Sequence, residues 1–246
     1  MRDLKNKIAV VTGGSSGIGK AICKVLADEG CQVVNISRRR EPKEGGVPVD
    51  MLPNIKTELC DVTDVRKLQK IIEKYNLSGI DILINNVGML PLKNFLEQTK
   101  DDYNKIMNTN FMSAVFATQA ALKIMLKRDG GSIVNIASTS GLKADPDTPI
   151  YGASKAALIN FTESIAGQYG DKIQCNCICP GFIDTCLVTE GPGIPESEVK
   201  KVPMGRIGKP EEIAEVVIWV LKSTYMNGAV ITVDGGRCHG VWRWGV

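Results

Sequence analysis

Short β-branched runs alternate with amphipathic stretches along nearly the whole chain, and this alternation limits the fold more than any other feature. Lys7-Ile8-Ala9-Val10-Val11-Thr12 runs straight into Gly13-Gly14, too short a stretch for a helix, and reads as a buried strand. Beyond the glycines Ile18, Ile22, Val25 and Leu26 recur at helical spacing, with Lys20, Lys24 and Asp28 between them and Gly30 closing the segment. Further strands are predicted at 32–36, 55–60, 80–85, 132–138, 173–179 and 229–233, and further helices at 65–75, 100–127, 150–168 and 211–221. Parallel strands need a crossover, and the crossover is usually a helix. The pattern therefore predicts an α/β fold: a doubly wound, Rossmann-type parallel sheet of about seven strands with helices on both faces.

Two stretches break the rhythm. Residues 41–54 carry Pro42, Gly45, Gly46, Pro48 and Pro53, so a loop is predicted where a crossover helix would be expected. Residues 184–210 hold three glycine or proline clusters and read as a flap with one short helix, the flexible substrate-covering part spanning about 186–203. No repeat or linker divides the 246 residues, which are read as a single dinucleotide-binding and catalytic domain. A chain of this size needs no disulfide or metal staple. Its eight cysteines lack paired C-x-x-C spacing, and one histidine, His239, supplies no metal-ligand set, so no metal is expected. Cys175, Cys177 and Cys179 fall on one face of a strand and read as buried thiols in a reducing cytosol. The same histidine, near the C-terminus, makes a Ser-His-Asp triad remote. Thirty basic and 27 acidic residues give a net charge of +3 without a polybasic tail, which argues against a nucleic-acid partner. The first residues lack the apolar stretch of a signal peptide, and the uncharged run 106–122 is interrupted by Asn, Thr, Ser and Gln. A soluble cytoplasmic protein with no membrane partner is expected.

The first strand-to-helix turn reads Thr12-Gly13-Gly14-Ser15-Ser16-Gly17-Ile18-Gly19. Glycines let the backbone approach a pyrophosphate, whose charge the helix N-terminus favours. The spacing T-G-x-x-x-G-x-G resembles the short-chain dehydrogenase/reductase family. Six further places agree with it: Asp61-Val62, Asn85-Asn86-Val87-Gly88, Asn110, Ser138, Tyr151-x-x-x-Lys155, and Pro180-Gly181-x-x-x-Thr185. The likeness runs from about Lys7 to Gly236 and extends to the family's 3-oxoacyl-acyl-carrier-protein reductases and its sugar and polyol dehydrogenases.

Tyr151 and Lys155 stand one helical turn apart, so an ammonium can lie beside the phenol and favour its ionised form. Tyr151 is thus expected to serve as general acid and base, and Ser138, at a strand's C-terminal end, to bind the substrate oxygen. The resemblance adds that Asn110 holds a water linking Lys155 to solvent. It also implies a cofactor site made of Gly13, Ser15, Ser16, Gly17, Ile18, Gly19, Val62, Asn86, Gly88, Pro180, Gly181, Tyr151 and Lys155. In that site Asp61 meets the adenine, and Thr185 with the backbone near Ile183 meets the nicotinamide amide. Asn85 is read as a structural hydrogen-bonder, and Val87, where the family usually has alanine, as a slight crowding of the ribose site.

NAD-specific sites commonly place an acid at the end of the second strand. Here Ser37 takes that position and Arg38 follows, so NADP(H) is preferred, with Arg38 the main determinant, Ser37 or Arg39 assisting, and NAD(H) possible. The implied activity is hydride transfer between the nicotinamide and a small-molecule ketone or secondary alcohol, with a 3-oxoacyl thioester as substrate or, alternatively, a sugar or polyol. A non-catalytic dinucleotide sensor or scaffold is the rival class, and an intact Asn, Ser, Tyr and Lys set argues against it. The apolar residues of the 100–127 and 150–168 helices, together with the resemblance, imply a homodimer or homotetramer. Trp242 and Trp244 in the tail are read as a packing anchor on a neighbouring subunit or, alternatively, as a cover for a partner's active site.

Overall fold

A computed structural model of the protein describes residues 1–42, 45–185 and 193–239. The predicted sheet is there: seven parallel strands in the order β3-β2-β1-β4-β5-β6-β7. They are β1 (Ile8–Thr12), β2 (Gln32–Ser37), β3 (Ile55–Leu59), β4 (Ile82–Asn85), β5 (Gly131–Ile136), β6 (Ile173–Pro180) and β7 (Val230–Val233). The helices are α1 (Gly17–Asp28), α2 (Val65–Glu73), α3 (Lys100–Met107), α4 (Ser113–Met125), α5 (Pro149–Tyr169), α6 (Glu196–Val199) and α7 (Pro210–Lys222).

Because both faces of a parallel sheet are covered, successive strand residues serve different cores. Ala9 and Val11 of β1 pack with Ile22 and Leu26 of α1 and Val217 and Leu221 of α7. Val10 faces the other way, into the cluster of Leu68 and Ile72 from α2 and Ile124 and Met125 from α4. Strand order reverses at β1, between β2 and β4, and a crevice opens there at the C-terminal ends of the strands. Side-chain hydrogen bonds tie those ends together. Buried Asn85 donates to Thr118 Oγ1 at 3.0 Å and to Asn135 Oδ1 at 2.8 Å, and Asn135 donates to Thr162 Oγ1 at 2.8 Å.

Two segments refine the sequence reading. The helix expected at 100–127 is interrupted at Asn108–Met112 by a π-helical turn, a feature with no signature in hydrophobic spacing. Among the described residues of the 41–54 segment there is no crossover helix, and the regular structure is a 3₁₀ turn at Val49–Met51. The short helix expected in the flap is α6. Residues 186–192 of the flap and the tail with Trp242 and Trp244 lie outside the described residues.

Asn135→Ala removes an acceptor and two donors from a site with no solvent exposure. Stranding buried polar groups costs about 1–3 kcal/mol each. Urea unfolding is expected to show a loss of about 2–3 kcal/mol with an unchanged m-value.

Candidate functional site

The crevice is a cleft of about 500 Å³ that reaches from the glycine turn to the start of α5. At its nucleotide end the turn leaves no room for side chains. Gly13 and Gly17 have φ of +73° and +51°, and a Cβ on Gly19 would collide with the Gly13 carbonyl oxygen. Asn86 holds this turn from β4, donating from Nδ2 to the carbonyls of Thr12 and Gly13 at 3.1 and 3.2 Å. Asn35 holds it from β2: its Oδ1 accepts from Gly14 N at 2.8 Å and from Ser37 Oγ at 2.6 Å, while Nδ2 donates to Thr57 Oγ1. Sequence reasoning missed Asn35, whose one signal is a polar residue inside an otherwise apolar strand. The first turn of α1 carries no acidic residue, and Ser16 makes no side-chain capping bond, which suits an anion at that helix end.

Arg38, Arg39, Asp61 and Val62 line the same end. Arg38 lies 3.9 Å from Asp61 across two strand ends, a loose and exposed ion pair. Burial pushes the Asp61 carboxyl up, but hydrogen bonds from Thr63 and the Arg38 charge outweigh it and leave its pKa lowered. Ser37 spends its hydroxyl proton on Asn35, so its structural task is to brace the turn. Arg39 Nε is buried and has no hydrogen-bond partner among the described residues. An orphaned guanidinium N–H beside a crevice with no room for side chains fits a phosphorylated dinucleotide.

At the other end, Ser138 follows β5 and caps a 3₁₀ turn, and Tyr151 and Lys155 sit in the first turns of α5. Tyr151 and Ser138 face the same cleft. Burial raises the phenol's pKa, the Ser138 hydroxyl works against that, and the net value lies above that of ordinary tyrosine. Lys155, 3% exposed, donates to the Ile136 carbonyl at 3.0 Å, with Nζ 5.8 Å from the centre of the Tyr151 ring. Burial lowers Lys155 from 10.5 to about 8, opposed by Cys177 and Cys179 beneath it. Without a nucleotide, desolvation sets the phenol's value; the expected help of Lys155 belongs to the complex with an oxidised nicotinamide. A Cβ on Gly88 would stand 3.3 Å from the ammonium, so glycine keeps Lys155's place open.

Asn110 lies in the π turn and is 1% exposed. Its Oδ1 accepts from Met89 N at 2.8 Å, and its Nδ2 donates to Met89 O at 3.0 Å and Ser154 Oγ at 3.1 Å. Ser154 in turn donates to the Tyr151 carbonyl at 2.6 Å. Asn110 therefore clamps the exit of β4 to the turn that carries Tyr151. Pro180, Gly181, Ile183 and Thr185, after β6, close the cleft between its two ends. The cysteines read as buried thiols are buried and unpaired among the described residues, and Cys177 and Cys179 touch at 3.9 Å.

One cleft thus joins a seat for a dinucleotide to a buried phenol with a hydroxyl and an ammonium around it, and that combination defines a class, the nicotinamide-dependent oxidoreductases. Residues 7–192 match the family model described as short chain dehydrogenase, and the chain belongs to that family, whose members bind nicotinamide dinucleotides. It is 33% identical over 241 residues to the 3-oxoacyl-acyl-carrier-protein reductase FabG of Thermotoga maritima, covering 95% of this chain and 98% of that one. Its fold matches aldohexose dehydrogenase of Thermoplasma acidophilum in ligand-free form, with a TM-score of 0.88, 29% identity, and 99% and 98% of the two chains covered. It also matches the structure of ElxO with NADP bound, at a TM-score of 0.86 and 31% identity over 95% and 99%. The protein is an oxidoreductase of this family. Among the described residues no helix is long and apolar enough to cross a membrane.

The buried lysine makes stability depend on pH in a defined direction. Below about 8 both folded and unfolded chains carry its proton, so the cost of burying the charge is fully present. Between about 8 and 10.5 the unfolded chain binds the extra proton, so native stability rises with pH. Relative to Lys155→Met, the wild type is expected to gain on the order of 3 kcal/mol across that window, measured by urea unfolding without nucleotide. A pH-independent difference would show that the ammonium is not desolvated.

Proposed function

We propose that the protein is an NADP(H)-dependent oxidoreductase that interconverts a ketone and a secondary alcohol. The observation that carries this is the meeting of Ser138, buried Tyr151 and buried Lys155 in the cleft that the glycine turn opens. The bound nicotinamide supplies or accepts the hydride at its ring. Ser138 Oγ holds the substrate oxygen, and Tyr151 gives that oxygen a proton in reduction or takes one in oxidation. The raised pKa keeps the phenol protonated at neutral pH, the state that the donor role needs. Lys155 stays charged below about 8 and stabilises negative charge developing on the phenol oxygen. Asn110 fixes the turn that presents Tyr151, and the water relay implied by resemblance belongs to the same proposal.

The NADP(H) preference rests on Arg38 and the unpartnered Nε of Arg39, with no acid at the Ser37 position. Gly13, Ser15, Ser16, Gly17, Ile18 and Gly19 would cradle the pyrophosphate; Asp61 and Val62 the adenine; Asn86 and Gly88 the ribose; Pro180, Gly181, Ile183 and Thr185 the nicotinamide. The likeness to FabG supports a 3-oxoacyl thioester as substrate. A second reading, a hydroxylated substrate of the sugar or polyol kind, is favoured by the polar wall of Ser140, Asp145 and Thr148 beside Tyr151. We infer a cytoplasmic single-domain protein with a flap at 186–203. A homodimer or homotetramer would pair α4 and α5, next to half-exposed Tyr103 and Met112.

Tyr151→Phe is expected to abolish NADPH-dependent ketone reduction while leaving NADPH affinity within about threefold, since one hydroxyl in the chemistry is lost and the nucleotide seat is untouched. Activity retained in that variant would exclude Tyr151 as the proton donor. Replacing Arg38 and Arg39 by alanine is expected to weaken NADPH binding by about 10- to 100-fold and NADH binding by less than about threefold, as charge-assisted bonds to one phosphate disappear. Equal losses for the two nucleotides would refute the 2′-phosphate assignment.

A further inference from the structure

The substrate end of the cleft carries charge that the proposed chemistry leaves unused. Arg237 follows β7 and lines the cleft that also holds Ser138 and Tyr151. Its guanidinium carbon lies 4.0 Å from the centre of the Phe182 ring, over the ring face, a cation–π contact that holds the charge in the cleft. The turn that bears it is pinned. Asp234 accepts from Gly236 N at 2.9 Å and from Cys238 N at 2.6 Å, and the Asp234 carbonyl accepts from Arg237 N at 3.2 Å. The Asp234 carboxylate is thereby committed to backbone N–H groups, and among the described residues Arg237 makes no ion pair.

The opposite wall is polar as well. Thr148 is 6% exposed, and among the described residues its hydroxyl has no hydrogen-bond partner. Asp145 accepts from Ser140 Oγ at 3.2 Å and from Asp147 N at 3.2 Å, and its charge reaches Tyr151. A bare hydrocarbon chain against this wall would leave the Thr148 hydroxyl without water or partner, at about 1–3 kcal/mol, and strip water from the Asp145 carboxylate. A hydroxylated molecule satisfies the one and replaces the water on the other. A site built to bond a substrate hydroxyl rejects the analogue that lacks it.

We propose that the substrate is a small hydroxylated carbonyl compound bearing an oxyanion group, with Arg237 binding the anion and Asp145 and Thr148 meeting a hydroxyl. The proposal rests on the oxidoreductase reading above and selects within it. Carboxylate and phosphate share the required chemistry, a planar or tetrahedral set of acceptors for a fixed guanidinium. Arg237 is then a specificity residue: Ser138 and Tyr151 act on the carbonyl, while Arg237 orients it from the far side.

The test uses matched probes with NADPH: acetoacetate against its methyl ester, and dihydroxyacetone phosphate against dihydroxyacetone. Turnover is followed by loss of NADPH absorbance. Binding is followed by the fluorescence of the NADPH-loaded protein, which gives the same comparison where turnover is slow. At least one anionic probe is expected to exceed its neutral partner by about 10-fold or more in kcat/KM or affinity, the worth of one charge-assisted contact. Arg237→Gln is expected to bring that ratio to near one, and Arg237→Lys to restore part of it, because a lysine keeps the charge and loses the fork. The pair that responds tells carboxylate from phosphate. Neutral probes favoured or equal in both pairs, or an unchanged ratio in Arg237→Gln, would overturn the proposal. Weakened NADPH binding in Arg237→Gln would also overturn it, by placing the guanidinium on the nucleotide. Failure of the wild type to bind NADPH at all is a separate result, and it strikes the underlying oxidoreductase reading.

Discussion

A charged lysine held out of water is the constraint around which this site is arranged. Lys155 is almost wholly buried, and its ammonium is tolerated because Ile136 offers a carbonyl at the end of β5 and two strand cysteines lie beneath it. A buried ion is costly unless it is hydrogen-bonded, so every neighbour must hold its place. Gly88 leaves the space, Asn110 clamps the strand exit that carries Gly88 and Met89, and Ser154 passes that clamp on to the backbone of Tyr151. The phenol, the hydroxyl of Ser138 and the ammonium are in this way set by the same few bonds.

The rest of the fold supplies one open edge. Parallel strands end together, and the residues just beyond their C-terminal ends bring the glycine turn, Asp61, Gly88, Ser138 and Gly181 into one crevice. Polar side chains, not apolar packing, fix the strand ends against each other. Asn35 and Asn86 brace the glycine turn, and the Asn85, Asn135 and Thr162 series does the same for β4, β5 and α5. These buried amides hold the edge that the nucleotide and substrate are proposed to share.

Much of this was legible in the residues. The glycine turn, the seven strands and the Tyr151–Lys155 spacing are local patterns, and the structure places them as expected in one cleft. What was not legible depends on contacts between distant segments. The π turn at Asn108–Met112 follows no hydrophobic period, and the task of Ser37 appears only when Asn35 is seen to accept from it and from Gly14. Nothing local marks Arg237; its contact with the ring of Phe182, 55 positions earlier, is a property of the fold alone. The elevated pKa of Tyr151 was likewise invisible, because a helical spacing shows the lysine's proximity but not the depth of burial that opposes it.

The central claim is that Tyr151 is a protonated, buried donor whose ionisation answers to positive charge beside it. Ultraviolet difference titration of wild type against Tyr151→Phe isolates this one phenol among the five tyrosines. Ionisation is expected above the ordinary tyrosine value in the free protein, to fall markedly when NADP⁺ is added, and to rise further when Lys155 is replaced by methionine. A phenol that titrates like free tyrosine and does not respond to NADP⁺ would contradict it.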